Sequence, residues 1–526
     1  MNRRRFLGLG ASVLGAGALA AVAVPSAARL LGEGRPGRLL TSGLELPPPF
    51  QVPLPVPPVL KPVGGDATGD RYEIVQQVAR LEILPGVKTE AWTYGGSWPG
   101  PTVVARSGRA AVVTHRNQLP VPSVVHLHGG HTPADSDGYP VDLLLPVGSS
   151  GSSGAMAGMA GMAGMPGMDH HAAGKSVTGE RTHTYPGHQR AATLWYHDHR
   201  MGFTGPGVWR GLAGFHLVHD DEEAALPLPH GDRDLPLMLA DRAFAEDGSF
   251  RYPAAGDDEP GVTSDYMNGV LGDVILVNGA PWPRLDVDRA RYRLRFLNAS
   301  NARLYRLELD PQPPGGDALV QIGSDGGLLE APVAHDALEI APAERFDVVV
   351  DFSRYPPGTA VRLLNRFGSG RTAEVMRFDV SSRQVSDDAT VPEQLSTIEK
   401  LDASAAANTR DFTFRRSRGD GWTINGDPYE PGRDIARPAL GATELWRFST
   451  DLHHPVHVHL NHFQVLSRNG ADPGPYDAGW KDTVDLRPAE EVEVLVRFTD
   501  YAGTYMLHCH NLEHEDMAMM ADFVVE

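Results

Sequence analysis

The sequence predicts an all-β protein of about three consecutive β-sandwich or barrel domains. From Tyr72 onward, short runs of Val, Leu, Ile, Tyr and Phe alternate with Gly, Pro, Asn and Asp, as at residues 101–105 and 346–350. Many short strands separated by turn residues are typical of this fold class. The chain has 526 residues, which sets the expected number of domains, and it shows no long amphipathic helix.

The chain opens with a targeting segment, which we place at residues 1–35. Arg3-Arg4-Arg5-Phe6-Leu7 precedes a Gly/Ala/Leu/Val run, and Ser26-Ala27-Ala28 follows as a cleavage region. This order predicts a twin-arginine signal, and so the twin-arginine export machinery as a partner. The folded protein is then expected in the periplasm, cell envelope or medium, with an uncleaved N-terminal anchor as the alternative. No other stretch has the about 18 apolar residues of a spanning helix, so we expect no stable membrane span in the mature chain.

The domain boundaries are predicted from changes in composition. A proline-rich arm at residues 47–62 precedes the strand pattern, and charged and small residues dominate near 225 and 395. We therefore predict a first domain at 36–225, a second at 226–395 and a third at 396–526. Asn278-Gly279 and Asn425-Gly426 each follow an apolar run, and Asn-Gly in that position predicts a tight turn.

The charge of the chain restricts its partners. The sequence has 47 Lys and Arg against 66 Asp and Glu, for a net charge of −19. An acidic surface argues against nucleic acid and anionic membranes as partners, because both repel negative charge. The charge is also the ordinary means of keeping a protein soluble.

The 22 histidines are concentrated in the outer thirds of the chain, with only His335 between Gly231 and Leu452. Two residues of a strand that are two positions apart point to the same face, about 7 Å apart. A His-x-His pair therefore offers two ligands to adjacent metals. Four such pairs occur: His126 with His128, His197 with His199, His457 with His459, and His508 with His510. The two ends of the chain must meet if these pairs form one cluster, and the middle domain is then a spacer.

Cys509 is the only cysteine of the chain and lies between His508 and His510. On a strand, Cys509 points away from both histidines. His514 follows five residues later and Met519 ten residues later. Two imidazoles, a thiolate and a weak thioether are the ligands of a blue electron-transferring copper. With His454, these residues and the four pairs suit four coppers, and the backbone joins the Cys509 site to the cluster.

These motifs resemble those of the three-domain multicopper oxidases. The chain is most similar to the bacterial spore-coat laccase and bilirubin oxidase group, by His126-Leu127-His128-Gly129-Gly130, Asp137-Gly138 and His514-Glu515. The resemblance implies three cupredoxin-like Greek-key β-sandwich domains and four copper ions. It assigns type 1 copper to His454, Cys509, His514 and Met519, and type 2 copper to His126 and His457. It assigns the type 3 pair to His128, His197, His199, His459, His508 and His510.

The resemblance also implies the reaction. A small-molecule donor, such as a phenol or an aromatic amine, loses single electrons, and dioxygen takes up four to become water. Asp137 matches the family's acid near the type 2 copper, and Glu515 matches the acid near the oxygen channel. Met517 and Met520 also lie near the axial position, but only Met519 has the ten-residue spacing from Cys509.

Residues 148–174 interrupt the first domain, and within them Met recurs at every third position from Met156 to Met168. Cu(I) prefers thioether ligands. This stretch therefore favours a second hypothesis, a cuprous-ion oxidase that serves copper tolerance and takes Cu(I) as its donor. A tolerated surface insertion is the alternative for the stretch. A copper-binding or scaffold protein without turnover is the third alternative for the whole chain.

Overall fold

The computed structural model describes residues 37–149, 174–256, 259–417 and 421–526. The predicted export signal and most of the methionine-rich insertion lie outside these residues. In the described part of the chain, strands dominate, and the longest α-helix has seven residues. The α-helices are α1 (Ala134–Asp137), α2 (Thr204–Arg210), α3 (Asp221–Ala224) and α4 (Leu512–Asp516). The 3-10 turns are Gly231–Arg233, Ser264–Tyr266, Phe352–Arg354, Gly370–Ala373 and Ala403–Ala405.

The first part of the chain forms a β-sandwich. One sheet has the order β10-β6-β3-β2 with β4 on β3, and the other has the order β5-β12-β11-β7. Apolar residues of both sheets, such as Val113 and Leu194, share one core, because alternate side chains of each strand point inward. The strands are β1 (Arg38–Leu40), β2 (Gly64–Gly65), β3 (Gly69–Leu81), β4 (Thr89–Tyr94), β5 (Gly100–Arg106), β6 (Ala110–Asn117), β7 (Val125–His128), β8 (Leu144–Leu145), β9 (Val177–Thr178), β10 (Glu180–Tyr185), β11 (Ala192–Asp198) and β12 (Ala213–His219).

The middle part repeats this arrangement. Its sheets have the orders β17-β16-β13-β19-β24-β21-β22, with β14 on β13, and β18-β26-β25-β20-β23, and they enclose the largest apolar core. The strands are β13 (Asp234–Phe244), β14 (Phe250–Arg251), β15 (Val270–Gly272), β16 (Val274–Val277), β17 (Ala280–Pro281), β18 (Arg284–Val287), β19 (Arg291–Asn298), β20 (Tyr305–Asp310), β21 (Leu319–Ser324), β22 (Gly327–His335), β23 (Ala337–Ile340), β24 (Arg345–Asp351), β25 (Ala360–Asn365) and β26 (Glu374–Val380).

The last part forms a third sandwich. Its sheets are β28-β27-β30-β34-β32 and β29-β36-β35-β31-β33, around a core that includes Trp446 and Cys509. The strands are β27 (Thr409–Arg416), β28 (Trp422–Ile424), β29 (Asp434–Ala436), β30 (Thr443–Thr450), β31 (His454–Val458), β32 (Phe463–Arg468), β33 (Thr483–Leu486), β34 (Glu491–Arg497), β35 (Gly503–Cys509) and β36 (Met520–Val525).

The same pairing recurs in all three sandwiches. β3 with β6, β13 with β19, and β27 with β30 are parallel neighbours that are not consecutive in the chain. β5 with β12, β18 with β26, and β29 with β36 are likewise parallel. Parallel pairs need crossover connections, so this repeat excludes simple up-and-down barrels. The predicted all-β fold of three sandwiches is confirmed.

Two local predictions are confirmed and one remains untested. Asn278 and Gly279 have φ of 50° and 81°, and Asn425 and Gly426 have φ of 56° and 89°, the positive values that Asn-Gly turns require. The arm at 47–62 is extended and bridges to both early domains, at Arg284 and Thr102. The predicted boundaries near 225 and 395 fall between β12 and β13 and between β26 and β27, and they stay a prediction. No helix among the described residues is long and apolar enough to cross a membrane.

Candidate metal centre

The strand register places the histidine pairs as the sequence predicts. On β7 and β11, His126 pairs with His197, and on β31 and β35, His457 pairs with His508. Cys509 follows His508 on β35 and points to the opposite face, into the core of the third sandwich. All eight histidines of the four pairs are buried. Two pairs come from the first sandwich and two from the third, so the two ends of the chain meet at this cluster.

The Cys509 site combines β31, β35 and α4. Nδ1 of His454 lies 3.0 Å from Nδ1 of His514, and Sγ of Cys509 lies 3.4 and 3.5 Å from these two atoms. Metal–nitrogen bonds are about 2 Å long, so three ligand atoms at these separations can share one ion. Burial lowers the pKa of both histidines, which keeps their rings neutral and able to bind a metal.

Burial also raises the pKa of the Cys509 thiol well above its ordinary value. A thiolate at this position therefore needs a cation beside it. The backbone N–H of Asn511 donates to Sγ at 3.4 Å, which adds a weak partner for the sulfur. The chemistry of this donor set fits copper, because a thiolate with two imidazoles is the blue-copper combination.

The three methionines near Cys509 have different surroundings. Met519 is fully buried in the same apolar core as Cys509, and its carbonyl oxygen accepts a hydrogen bond from the Cys509 N–H at 3.1 Å. Met520 points to the other face of β36, into a separate cluster with Met506. Met517 is only partly buried, at the edge of the core that contains Cys509 and Met519. This packing favours Met519 as the thioether that would complete the Cys509 site.

His199, His459 and His508 form one group of the histidine cluster. Nε2 of His508 lies 3.3 Å from Nε2 of His199 and 3.2 Å from Nε2 of His459. The Nδ1 of His459 donates to the Asp137 carboxylate, and Nδ1 of His508 faces the carbonyl oxygen of Cys509 at 3.2 Å. For these two rings, the lone pair of Nε2 therefore points to the shared centre.

His128, His197 and His510 form a second group. Their ring centroids are 5.0, 5.3 and 5.8 Å apart. Nδ1 of His128, Nε2 of His197 and both nitrogens of His510 are buried without a hydrogen-bond partner among the described residues. Burial lowers the pKa of His197 to about 3 and the pKa of the other two rings well below the ordinary value. Unpaired, neutral imidazole nitrogens are what a metal site requires, and ligand atoms of His128 and His197 lie within 4.8 Å of each other and of a ligand atom of His126.

His126 and His457 face each other across the domain junction. Their Nε2 atoms are 3.4 Å apart, and each Nδ1 donates to a backbone carbonyl oxygen, that of Asp137 for His126 and that of Asp482 for His457. A carbonyl only accepts, so both protons sit on Nδ1 and both Nε2 lone pairs are available. The predicted type 2 pair therefore has a common point to bind.

Two predicted acids touch this cluster. Oδ2 of Asp137 accepts from Nδ1 of His459 at 2.7 Å, and burial raises the pKa of Asp137 well above its ordinary value. Glu515 accepts from the Thr204 hydroxyl at 2.6 Å and lies 3.2 Å from Nδ1 of His508. Burial alone would raise the pKa of Glu515, but the nearby histidines and the Thr204 bond outweigh it and lower the pKa.

Asp482 and Arg345 also belong to this region, and the sequence did not single them out. Asp482 accepts from Nε2 of His128 at 3.1 Å and forms a buried ion pair with Arg345. Arg345 begins β24, so the middle domain is more than the spacer that the histidine distribution predicts. The one signal in the sequence was Lys481-Asp482, two opposite charges followed directly by the β-branched residues Thr483 and Val484. His131 and His462 lie at the edge, where His131 bonds Leu460 and His462 lies 3.6 Å from Asp482.

The comparisons with known proteins agree with this geometry. Residues 76–150 and 393–526 match family models described as multicopper oxidase. The laccase of Bacillus stratosphericus is 37% identical, across 89% of this chain and 97% of that protein. The bilirubin oxidase of Albifimbria verrucaria is 34% identical, across 90% and 81%.

A solved structure of laccase from Pediococcus acidilactici has a TM-score of 0.77 and 33% identity, covering 92% of this chain and 96% of that one. The three sandwiches are thus cupredoxin-like domains, the cofactor is copper, and the chain is an oxidoreductase that uses oxygen. Each of these relatives is more than 30% identical to the chain, and each match covers 81% or more of both proteins. The chain belongs to the multicopper oxidase family.

Proposed function

We propose that the chain is an exported laccase-type oxidase. It takes single electrons from phenols or aromatic amines at the Cys509 site and passes them to dioxygen at the histidine cluster. When bound, type 1 copper accepts single electrons, and the type 2 and type 3 coppers together reduce dioxygen to water. The residues proposed to hold type 1 copper are His454, Cys509, His514 and Met519. Those proposed for type 2 copper are His126 and His457, and those for the type 3 pair are His128, His197, His199, His459, His508 and His510.

One observation carries this proposal. Cys509 faces His454 and His514, while His508, the residue before it, faces His199 and His459. Adjacent residues of one strand thus join two separate candidate metal sites through a single peptide bond. An electron entering at Cys509 has a short covalent path to the cluster. A storage or scaffold protein has no need of such a connection.

The acids supply what the reaction requires besides electrons. Four electrons and four protons convert dioxygen to two waters. Because the cluster is buried, protons from the solvent need side chains beside the cluster to relay them. Asp137, whose pKa is raised by burial, can hold a proton beside His459. Glu515 bonds the Thr204 hydroxyl and lies beside His508, which suits a group that accepts and passes on protons.

The donor class is proposed from the names of the relatives and from the site. The related proteins are called laccase and bilirubin oxidase, names that denote oxidation of organic donors. A thioether beside the copper gives a lower potential than an apolar residue, which suits easily oxidised donors. Trp422 is fully buried and packs at a tilt of 32° against His514, with 3.8 Å between ring centroids, so it lines the proposed entry site from inside the core.

Oxygen uptake tests this proposal. Copper-loaded protein would be screened with phenols, aromatic amines, bilirubin, Mn(II) and Cu(I), and the parent compared with Cys509→Ser. We expect uptake with the organic donors, and loss of both the uptake and the intense blue band in Cys509→Ser, which keeps most of the cluster copper. A blue Cys509→Ser variant, or a copper-loaded parent that consumes no oxygen with any donor, would contradict the proposal.

A cuprous-ion oxidase is the second candidate, favoured by the methionine repeat from Met156 to Met168. Replacing that stretch with a Gly/Ser linker separates the two functions. If Cu(I) is the donor, Cu(I) oxidation falls while phenol oxidation by the fully loaded enzyme holds or rises. Equal Cu(I) oxidation and copper loading in both proteins would leave the stretch a plain insertion.

Export in folded form rests on Arg3-Arg4-Arg5-Phe6-Leu7 and the apolar run that follows. Arg3→Lys with Arg4→Lys is expected to retain the protein in the cytoplasm, measured by cell fractionation. Because Arg5 would remain, the triple Lys variant serves as the second arm. Normal export of both variants would exclude the twin-arginine route.

A further inference from the structure

Arg345 contacts all three sandwiches at one point. Its side chain is fully buried, and its Nε donates to the carbonyl oxygen of Thr193 on β11 at 2.9 Å. Nη1 and Nη2 donate to the two carboxylate oxygens of Asp482, at 2.8 Å for Nη1. The same nitrogens also reach the carbonyl oxygens of Ala343 and Asp325, at 3.0 and 3.2 Å. A planar guanidinium with these five bonds is held rigidly, and it holds its partners rigidly in turn.

Asp482 carries this constraint to two histidines of the cluster. Its carboxylate accepts from Nε2 of His128 at 3.1 Å, and its carbonyl oxygen accepts from Nδ1 of His457 at 2.9 Å. Both contacts fix a proton on one ring nitrogen and leave the other as the lone pair. His128 is thereby set to present Nδ1 and His457 to present Nε2. The two rings stack, with centroids 3.6 Å apart, so neither can turn alone.

The first sandwich makes room for this ion pair. A Cβ added at Gly129 would lie 2.6 Å from Nη2 of Arg345 and 2.7 Å from Oδ2 of Asp482. Gly129 follows His128 directly, so the ligand motif itself packs on the ion pair. Its φ of +82° also favours glycine. The pair is thus a component of the cluster wall, made of residues from three domains.

A second ion pair lies beside it and suggests a purely stabilising role as the competing explanation. Nζ of Lys481 is 3.1 Å from Asp325 and 3.1 Å from Glu344, all of them buried. A buried ion cluster can join domains without affecting a metal. What distinguishes Arg345 is its target, since the carboxylate it binds also contacts His128.

We propose that Arg345 is a positioning residue for the three-copper cluster, acting through Asp482 to set which ring nitrogens of His128 and His457 face the metal. This inference rests on the proposed copper assignment. Partners that orient metal-binding histidines typically change metal affinity by about 10- to 100-fold. Loss of the bidentate contact should therefore weaken retention of cluster copper. The blue copper should be retained, because none of the five hydrogen bonds of Arg345 reaches a residue proposed to hold type 1 copper.

Copper retention, rather than turnover, tests the proposal. The variants are Arg345→Lys, which keeps the charge but not the fork, and Asp482→Asn, which keeps the shape but not the charge. Arg295→Lys is the matched control, because Arg295 is also a fully buried arginine of the middle domain, and it pairs with Asp234 and Glu223. Each copper-loaded protein is dialysed against increasing EDTA. Total copper per chain and blue absorbance are measured at each step.

Before EDTA is added, we expect the parent to hold four coppers per chain. Arg345→Lys and Asp482→Asn should lose cluster copper at an EDTA concentration about tenfold lower than the parent requires, while their blue absorbance persists. Arg295→Lys should keep the parent's copper even if it unfolds more easily. Parent-like retention in both test variants overturns the proposal, and so does equal loss in Arg295→Lys. If Arg345→Lys does not fold, Asp482→Asn decides the outcome alone. A parent that binds no blue copper would instead refute the copper assignment.

Discussion

His459 donates from Nδ1 to Oδ2 of Asp137 at 2.7 Å, across the junction between the last sandwich and the first. The other oxygen, Oδ1, has no hydrogen-bond partner among the described residues. Burial raises the pKa of Asp137 well above its ordinary value, so the free oxygen is where a proton would be carried. A carboxyl group in this state, touching a proposed copper ligand, suits proton delivery.

Asp137→Asn is expected to lower turnover by about 100-fold or more, the range for removing a general acid or base. The amide has nearly the same shape, but it cannot release a proton. The blue band should remain, because Cys509 is untouched. Oxygen-uptake rates across the pH range test this, with Asp135→Asn as the control, since Asp135 lies on the same helix but is exposed. Parent-like rates at every pH would reduce Asp137 to a structural carboxylate.

Glu515→Gln is expected to slow turnover in the same way while keeping both the blue band and the copper content. The amide oxygen of glutamine can still accept the hydrogen bond from Thr204. Slower turnover would therefore be due to the missing ionisable carboxyl group. Thr204→Val is the companion variant, because it removes the bond but keeps the carboxylate. Turnover that is lost in Thr204→Val but kept in Glu515→Gln would show that only positioning matters here.

Met519→Leu is expected to keep the blue band and raise the reduction potential of the type 1 site, because a weak electron-donating ligand is lost. Redox titration of the blue absorbance measures the change. Met520→Leu is the control, since Met520 faces the opposite side of β36. A shift in Met520→Leu or Met517→Leu with none in Met519→Leu would assign the thioether of the Cys509 site to another methionine.

Gly129→Ala is expected to destabilise the fold and weaken copper retention together. The new Cβ would displace the Arg345–Asp482 pair and also occupy a positive φ. Gly86→Ala is the control, because Gly86 has a φ of +77° with open space around it, so it carries only the backbone cost of about 1–2 kcal/mol. Urea unfolding and copper per chain are the measurements. Equal effects of both variants would show that the Arg345–Asp482 pair can move to admit the methyl group at little cost in free energy.

The ion cluster around Glu223 should make stability depend on pH. Burial would raise the pKa of Glu223, but the hydrogen bond with His219 and the charges of Arg293 and Arg295 hold it well below the ordinary value. A lowered folded-state pKa gives stability that is present above the unfolded value, about 4.3, and is lost as pH falls below it. We therefore expect Glu223→Gln to cost about 3 kcal/mol at pH 7 and progressively less below pH about 4.

Urea unfolding at pH 7 and at about pH 3 measures this difference, because the contribution of Glu223 decreases only below its unfolded pKa. Glu222→Gln is the matched control, because Glu222 is the neighbouring residue and is exposed. It should change the free energy of unfolding by less than about 0.5 kcal/mol at either pH. A cost of Glu223→Gln that stays constant between the two pH values would contradict the assignment of a charged Glu223.

The local parts of the site were predictable from the sequence. The alternation of side chains along a strand depends only on neighbouring residues, so His508-Cys509-His510 by itself placed Cys509 opposite to His508. The same rule gave the four histidine pairs, and Asn-Gly gave the two turns, because positive φ is a property of those residues. Repeated short strands gave the all-β class for the same local reason.

The surroundings of the ligands were decided only by the tertiary structure. His128 and Asp482 are 354 residues apart in the chain, and Arg345 and Asp482 are 137 apart. No periodicity links residues at such distances, since their contact depends on how the edges of three separate sandwiches meet. Which ring nitrogen each histidine presents follows from those contacts, because an imidazole is symmetric enough to bind through either nitrogen until a partner takes one. The sequence by itself determined the metal-binding side chains, and the packing of the domains determined their orientation.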